Sequence, residues 1–265
     1  NLDDFSLRAA QVLRAVDHIV AEDTRHSARL MQHYAINTPL QAYHEFSSDA
    51  QTESIFNLLR QGKDVALISD AGTPLISDPG YRLVKRAQEE GIKVVPVPGA
   101  CAVIAALSVS GLPTDRFSFE GFLPAKQKAR VDTLTALVNE ARTMVFYEAP
   151  HRIVECLEDM AAVFGADRTV MMARELTKTF ETLRQAPVEQ LLEFVKADSN
   201  QQRGEFVLVV EGIKEHKHEG VTAEAQRLVA LLITEMSPNA ASKLVAEFCS
   251  IPKKKVYEYI LRLKN

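Results

Sequence analysis

Val65-Ala66-Leu67-Ile68-Ser69-Asp70-Ala71-Gly72-Thr73-Pro74-Leu75-Ile76-Ser77-Asp78-Pro79-Gly80 is the stretch on which the fold turns. Four apolar residues read as a buried strand. The segment after them holds two acids, two glycines and two prolines before a helical pattern resumes at Tyr81. Strand, shaped loop and helix start follow one another, and in open α/β sheets ligands settle in the crevice beyond the carboxyl ends of strands. The loop carries neither Gly-x-Gly-x-x-Gly nor Gly-Lys-Ser/Thr, which disfavours a polyphosphate cradle. An acid among small residues suits a ribose hydroxyl, an amine or a neutral ring. A purely structural reading stands beside this one: Asp78-Pro79 is a good helix N-cap with proline at the first helical position, and Gly72 with Pro74 can simply shape a connector.

The alternation continues on both sides. Ser6 to Val16 has helical spacing, His18-Ile19-Val20-Ala21 reads as a short strand ending in Glu22-Asp23-Thr24-Arg25, and a polar segment rich in His and Gln follows. A helix over about Asp49 to Arg60 is stopped by Gln61-Gly62 and feeds the strand at Val65. Tyr81 to Glu90 reads as a helix, Lys93 to Gly99 as a further strand and turn, and Ala100 to Ser110 as a small-residue helix. This order implies right-handed crossovers and a mostly parallel sheet in a first domain, 1–112.

After a hinge at Leu112-Pro113-Thr114-Asp115, a second domain, 113–214, starts with the strand Phe117 to Phe122 and a helix from Lys126 to Asn139. Strands at Thr143–Tyr147, Thr169–Ala173 and Glu205–Glu211, with a helix reaching about Phe164, make it α/β as well, with a mixed sheet. Lys214 to Gly220 reads as a polar tether. His216 and His218 within it lack the acid or cysteine cluster a metal site needs, so no metal is expected.

From Val221 onward three short helices carry apolar stripes: Ala225, Leu228, Val229 and Leu232, then Ala241, Leu244, Val245 and Phe248, then Val256, Tyr259, Ile260 and Leu263. The last opens Lys253-Lys254-Lys255 after a tight turn. That is the pattern of a helix-turn-helix module, though a helical cap with a solvated charged face has the same spacing. The 265-residue chain has net charge -4, yet residues 221–265 hold seven Lys/Arg against four acids, so a basic module sits on an acidic body. With 46% hydrophobic and 25% charged residues and no apolar run near membrane-spanning length, a globular protein with no membrane partner is expected. Three widely spaced cysteines, Cys101, Cys156 and Cys249, fit a reducing compartment and a cytoplasmic location.

Several blocks in fixed order carry a family resemblance. They are Ala21 to Arg25, Ser69 to Gly80, Val97-Pro98-Gly99-Ala100, Phe119 to Pro124, Phe146-Tyr147-Glu148 through His151-Arg152, Ala173 to Lys178, and Arg203-Gly204-Glu205. With these the chain resembles the ribosomal RNA methyltransferases of the tetrapyrrole-methylase superfamily over nearly its whole length. The resemblance implies S-adenosylmethionine as methyl donor, bound in a cleft between two α/β domains. It implies a cytidine ribose 2′-hydroxyl of 16S rRNA in the small ribosomal subunit as acceptor, and a homodimer. Members begin with a strand and a Pro-rich loop before the counterpart of Asn1-Leu2, so the expectation is a first α/β domain lacking that strand.

On the same resemblance, the donor wall falls to Asp70, Ala71, Gly72, Thr73, Pro74 and Ile76, faced by Cys101, Ala102, Phe146 and Tyr147. Acceptor-side chemistry falls to Glu22, Asp23, Arg25, Glu175 and Lys178, each at the carboxyl end of an expected strand. Asp23 and Arg25 can instead pair with each other, and Glu175 with Arg152 or Arg174. Lys126, Lys128 and Arg130, together with Lys253, Lys254 and Lys255, are the expected RNA contacts. A tetrapyrrole-ring methyltransferase and a ligand-sensing nucleic-acid-binding regulator without chemistry are the rival readings.

Overall fold

A computed structural model describes residues 1–44, 47–213, 221, 223–249 and 251–263. The expected tether, Lys214 to Gly220 with His216 and His218, lies outside the described residues. Two compact units divide at Gly212/Ile213.

The first unit contains two sheets. Strands β1 (His18–Ala21), β2 (Leu40–Ala42) and β3 (Val65–Ile68) form a parallel sheet in the order β2-β1-β3. Helices α1 (Leu7–Ala15), α2 (Thr24–His33), α3 (Asp49–Arg60) and α4 (Tyr81–Glu89) accompany it. The polar stretch after Arg25 thus folds into α2 and β2, which its hydropathy did not announce. Tertiary packing of Ser27 and Met31 under a charged outer face makes α2.

Two expectations for this half are corrected. Lys93 to Gly99 is not a strand: Pro96 and Pro98 have no N–H to give a ladder, and their carbonyls accept from the Arg8 guanidinium (3.0 Å) and Ser6 Oγ (3.1 Å). The N-cap of α4 is Gly80 and not Asp78, whose carboxyl is thereby left for the loop.

The second sheet has the order β4-β5-β8-β6-β7, with β4 (Phe117–Phe122) parallel to β5 (Thr143–Glu148). β8 (Phe206–Val210) and β6 (Thr169–Arg174) pair antiparallel, as do β6 and β7 (Thr182–Pro187). It is mixed, as its varied connections suggest. β7 escapes a hydropathy reading because Thr-Leu-Arg-Gln-Ala-Pro at a sheet edge needs no apolar alternation. Central β8, Phe-Val-Leu-Val-Val, is buried throughout because both sheet faces are covered. One face packs against α6 (Gln127–Ala136), α7 (Ile153–Phe164) and α8 (Val188–Ala197) through Leu134, Leu157 and Leu191. The other receives α5 (Ala102–Val109), whose Val103, Ala106 and Leu107 lie on Val145, Met171 and Val209. Helix α5 precedes the hinge in sequence yet packs on the second sheet. It thereby brings the chain after the Ser69–Gly80 loop to the ends of β5 and β6.

The second unit is a three-helix module, α9 (Ala223–Leu232), α10 (Pro238–Phe248) and α11 (Lys253–Leu263), around Ala225, Val229, Ala241, Val245, Val256 and Ile260. Ser237 caps α10, accepting from Ala240 N–H, with Pro238 in the first turn. The stripes are narrower than their spacing suggests: Leu244, Phe248 and Leu263 face outward.

Candidate functional site

The Ser69–Gly80 loop is wound tightly. Leu75 (φ 73°) and Ser77 (φ 62°) adopt the left-handed region without being glycine, a conformation that persists only where the surroundings enforce it and that clusters at ligand sites. Thr73 Oγ1 donates to the Ala100 carbonyl at 2.9 Å, tying the loop to the start of α5, and Ser69 Oγ donates to Ala71 and Gly72 carbonyls. Across from it, Glu175 (φ 51°) and Thr177 (φ 61°) are left-handed as well. Strained backbone therefore flanks one space from two sides.

That space is a cavity of about 740 Å³, inside the ~300–1,000 Å³ range of small-molecule sites. Ala71, Gly72, Thr73, Ile76 and Asp78 of the loop, Cys101 and Ala102 at the start of α5, and Phe122 and Tyr147 of the second sheet line it, with Lys178 and Glu205 at its polar side. Asp70 and Pro74 look into a second cavity of about 530 Å³ behind the loop, shared with α1 and α2. The loop is thus a wall with a face on each side.

Phe146 is corrected. Side chains alternate along β5, so Tyr147 points into the cavity while Phe146 is fully buried on the opposite face against α7. Burial pushes the Tyr147 phenol up to about 12, with the Cys101 thiol adding to it.

Glu22, Asp23 and Arg25 sit at the end of β1, outside the lining of either cavity. Asp23 accepts from the Arg25 N–H (2.8 Å) as N-cap of α2 and from the Arg25 guanidinium (3.1 and 2.8 Å), which holds its carboxyl well below the ordinary range. The mutual pairing open in the sequence is the one that forms. Asp70 Oδ1 accepts the Asp23 backbone N–H at 3.1 Å, knitting β1 to the loop. Burial and the nearby Asp70 and Asp23 carboxylates raise Glu22.

Glu175 pairs with neither Arg152 nor Arg174. Arg152 binds Glu148, and Arg174 donates to the Arg203 and Phe180 carbonyls. Glu175 Oε1 accepts from Lys178 Nζ (2.8 Å) and from the Glu205 N–H (2.9 Å). Burial works to raise the Glu175 carboxyl, but these two donors outweigh it and hold it low. Lys178 Nζ also donates to Glu205 at 2.8 Å. Lys178 lines the cavity and Glu175 stands behind it, which makes Glu175 a positioning residue.

The room for Glu175 depends on Gly204. A Cβ there would lie 2.4–2.6 Å from the Glu175 carboxyl group, and its φ is +87°. Gly204→Ala is expected to destabilise the fold by about 2 kcal/mol, combining left-handed strain with displacement of the carboxylate. Part of this returns in Gly204→Ala/Glu175→Ala, since truncation removes the clash. Urea unfolding of the two variants and Glu175→Ala reads the coupling; strict additivity would refute a Gly204–Glu175 contact.

Asp78, for which the sequence also allows a helix-cap reading, is a carboxyl of the loop that lines the cavity. Burial, with Glu22 beside it, pushes it up to about 6, against a hydrogen bond with Ser69 that works downward. Its signal in the sequence was a second acid inside a loop already suspected of binding.

Of the expected RNA contacts, Lys126 and Lys128 are exposed at the start of α6, and Lys253 and Lys254 at the start of α11; Lys255 is half-buried. Arg130 is corrected: only 1% exposed, it donates to Asp159 at 2.6 Å and to Glu155 at 3.2 Å, so it is a core ion pair. No cluster of metal-binding side chains occurs among the described residues.

Residues 1–192 match the family model of Tetrapyrrole (Corrin/Porphyrin) Methylases, and residues 219–264 match that of the RsmI C-terminal HTH domain. The "Ribosomal RNA small subunit methyltransferase I" of Pseudomonas aeruginosa is 54% identical over 263 residues, covering 99% of this chain and 93% of its own. That of Escherichia coli O157:H7 is 51% identical, covering 98% and 91%. Among solved structures, a cobalt precorrin-4 methyltransferase of cobalamin biosynthesis superposes with TM-score 0.59 at 14% identity, over 79% of this chain and 90% of that one. A uroporphyrin-III-C-methyltransferase from Thermus thermophilus gives 0.56 at 21%, over 79% and 88%. The shared fold, the two family models and relatives near half identity over almost the full length lead to one conclusion: the chain belongs to the tetrapyrrole methylase family, in its ribosomal RNA small subunit methyltransferase I branch.

Proposed function

We propose that the protein transfers the methyl group of S-adenosylmethionine to the ribose 2′-hydroxyl of a cytidine in 16S rRNA of the small subunit. The observation that carries this reading is the meeting, in one cavity, of the Ser69–Gly80 loop, the start of α5, the Asp78 carboxyl and the Lys178 ammonium. The donor set fits the methyl donor: small side chains at Ala71, Gly72 and Ala102 leave backbone groups within reach, Tyr147 offers a flat wall, and carboxyls suit a cationic ligand. When bound, S-adenosylmethionine supplies an already activated methyl group.

The protein's own task is then to align the acceptor oxygen, exclude water and manage one proton. In this reading Asp78 accepts the hydroxyl proton, and Lys178, held by Glu175 and Glu205, stabilises the negative charge that develops on the oxygen. Glu22 raises the proton affinity of Asp78 from outside the cavity. Arg25 in the first turn of α2, Lys126 and Lys128 at the start of α6, and Lys253 and Lys254 on α11 contact phosphates in this reading. A cytoplasmic homodimer, carried by the family resemblance, completes the reading.

The test is incubation of the protein with labelled S-adenosylmethionine and small ribosomal subunits, followed by location of the label. Label on a cytidine ribose oxygen is expected. Binding to the subunits should weaken with salt, and Lys253→Ala/Lys254→Ala should flatten that slope by up to about two, roughly one for each phosphate no longer neutralised. Incorporation on a base, or none at all, would refute the reaction, and an unchanged slope would remove α11 from the interface.

A further inference from the structure

β4 is an edge strand with an interruption in its pairing. Phe119 faces Val145 in register, but the next partners are Gly121 with Phe146 and Phe122 with Tyr147, so Glu120 is an extra residue in a β-bulge. Gly121, at φ +68°, supplies the left-handed backbone the bulge needs.

The extra residue reverses the alternation beyond it. In an unbroken strand Phe119 and Phe122 would face opposite sides. With the bulge both stand on the Tyr147 side, their ring centroids 5.0 and 5.5 Å from that of Tyr147. Phe119 is packed into the core beneath, whereas Phe122 remains 52% exposed although it lines the cavity. A Cβ on Gly121 would come within 3.7 Å of Ser77 Oγ, so the bulge also sets the strand end beside the strained loop and near Asp78. An aromatic face more than half exposed inside a concave site, braced by a second ring and aimed there by a dedicated backbone irregularity, is a stacking platform without its partner.

We infer that Phe122, supported by Tyr147, stacks on the base of the acceptor nucleotide, so that the enzyme takes an unpaired nucleobase out of its RNA context before methyl transfer. The inference rests on the RNA reading above. It matches how single-stranded RNA is held elsewhere, where unstacked bases lie on aromatic side chains. Phe122 is then a positioning residue for the acceptor and does not hold the donor.

The chain contains no tryptophan, so Phe122→Trp introduces a sole indole at the platform. Its emission is expected to be quenched by a short single-stranded RNA containing cytidine, and much less by a duplex of the same composition or by S-adenosylmethionine alone. Phe122→Ala is expected to raise KM for small-subunit RNA roughly ten- to hundredfold, the range of one base stack, with KM for the donor within about twofold of wild type. Phe122→Trp should restore RNA affinity. Wild-type KM for RNA in Phe122→Ala, or quenching by the donor and not by RNA, would overturn the inference. If instead the wild-type protein methylates no RNA while the indole is still quenched by single strands, the reaction assignment fails and the platform stands.

Discussion

Arg130→Ala is expected to destabilise the first unit by about 3–5 kcal/mol, the cost of removing one partner from a buried ion pair. The guanidinium is 1% exposed and spans α6 and α7: Nε donates to Asp159 Oδ2 at 2.6 Å, Nη2 to Glu155 at 3.2 Å, and Nη1 to the Ala125 carbonyl at 3.3 Å. Asp159 is itself buried at 5%, with Gln127 as its other donor at 3.2 Å. Truncation leaves that carboxylate facing a cavity. Replacing both partners, as in Arg130→Met/Asp159→Leu, avoids the orphaned charge and should recover most of the loss. Lys128→Ala, two residues away and exposed, should stay within about 0.5 kcal/mol of wild type. Urea unfolding monitored by circular dichroism measures all three. An Arg130→Ala protein within about 1 kcal/mol of wild type would show that the pair is not structural.

The Arg130 result also marks where a linear reading stops. Lys126, Lys128 and Arg130 look alike as a basic helix start, yet Lys126 is the N-cap, in extended backbone outside the helix, and Lys128 stands about 200° around the helix from Arg130, so only Arg130 turns inward. The acids that claim it, Glu155 and Asp159, lie on the next helix and become neighbours only on packing. Phe146 beside Tyr147 fails for the complementary reason. Strand alternation separates them, and which of the two faces the cavity depends on where α5 and α7 pack. Phe122 is harder still, since its orientation depends on a bulge that only the pairing register reveals.

What the sequence carries well is order and composition. Apolar runs at β1, β3, β5, β6 and β8 and the aromatic–polar alternation of β4 place six of the eight strands among the described residues, and the turn residues of Ser69 to Gly80 mark the loop that becomes the cavity wall. Polar β2 and edge β7 leave no such trace. Charged residues at strand ends are legible as a set and so is the Asp23–Arg25 pair, two residues apart, but the partner of Glu175 is not: it is committed to Lys178 and to neither Arg152 nor Arg174. Asp78, the loop's own carboxyl at the cavity, is the one whose local sequence most resembles an ordinary helix cap.

Methyl transfer is accordingly expected to rise with pH through about 6 and then level off, because Asp78 accepts a proton only when ionised and its carboxyl is pushed up to about 6. The groups facing it are the Ser69 hydroxyl, the Glu22 and Asp70 carboxylates at the ends of β1 and β3, and the Tyr147 phenol across the cavity. Asp78→Asn should lower kcat by about 10²-fold or more and abolish the limb, while Glu22→Gln should keep the limb and move it to lower pH by removing a like charge. Stability separates this from misfolding. A carboxyl raised on folding from 3.8 to about 6 stabilises the native state most when protonated, and that contribution is lost as pH rises through about 6. Above that pH Asp78→Asn removes the burden and should gain stability, about 1 kcal/mol after allowing for solvent screening of a half-exposed group, whereas near pH 4 the gain should vanish. A variant slower by two orders of magnitude yet harder to unfold at pH 8 is the signature of a group kept for chemistry at the expense of the fold. Retention of the wild-type pH limb in Asp78→Asn would give the proton to another residue.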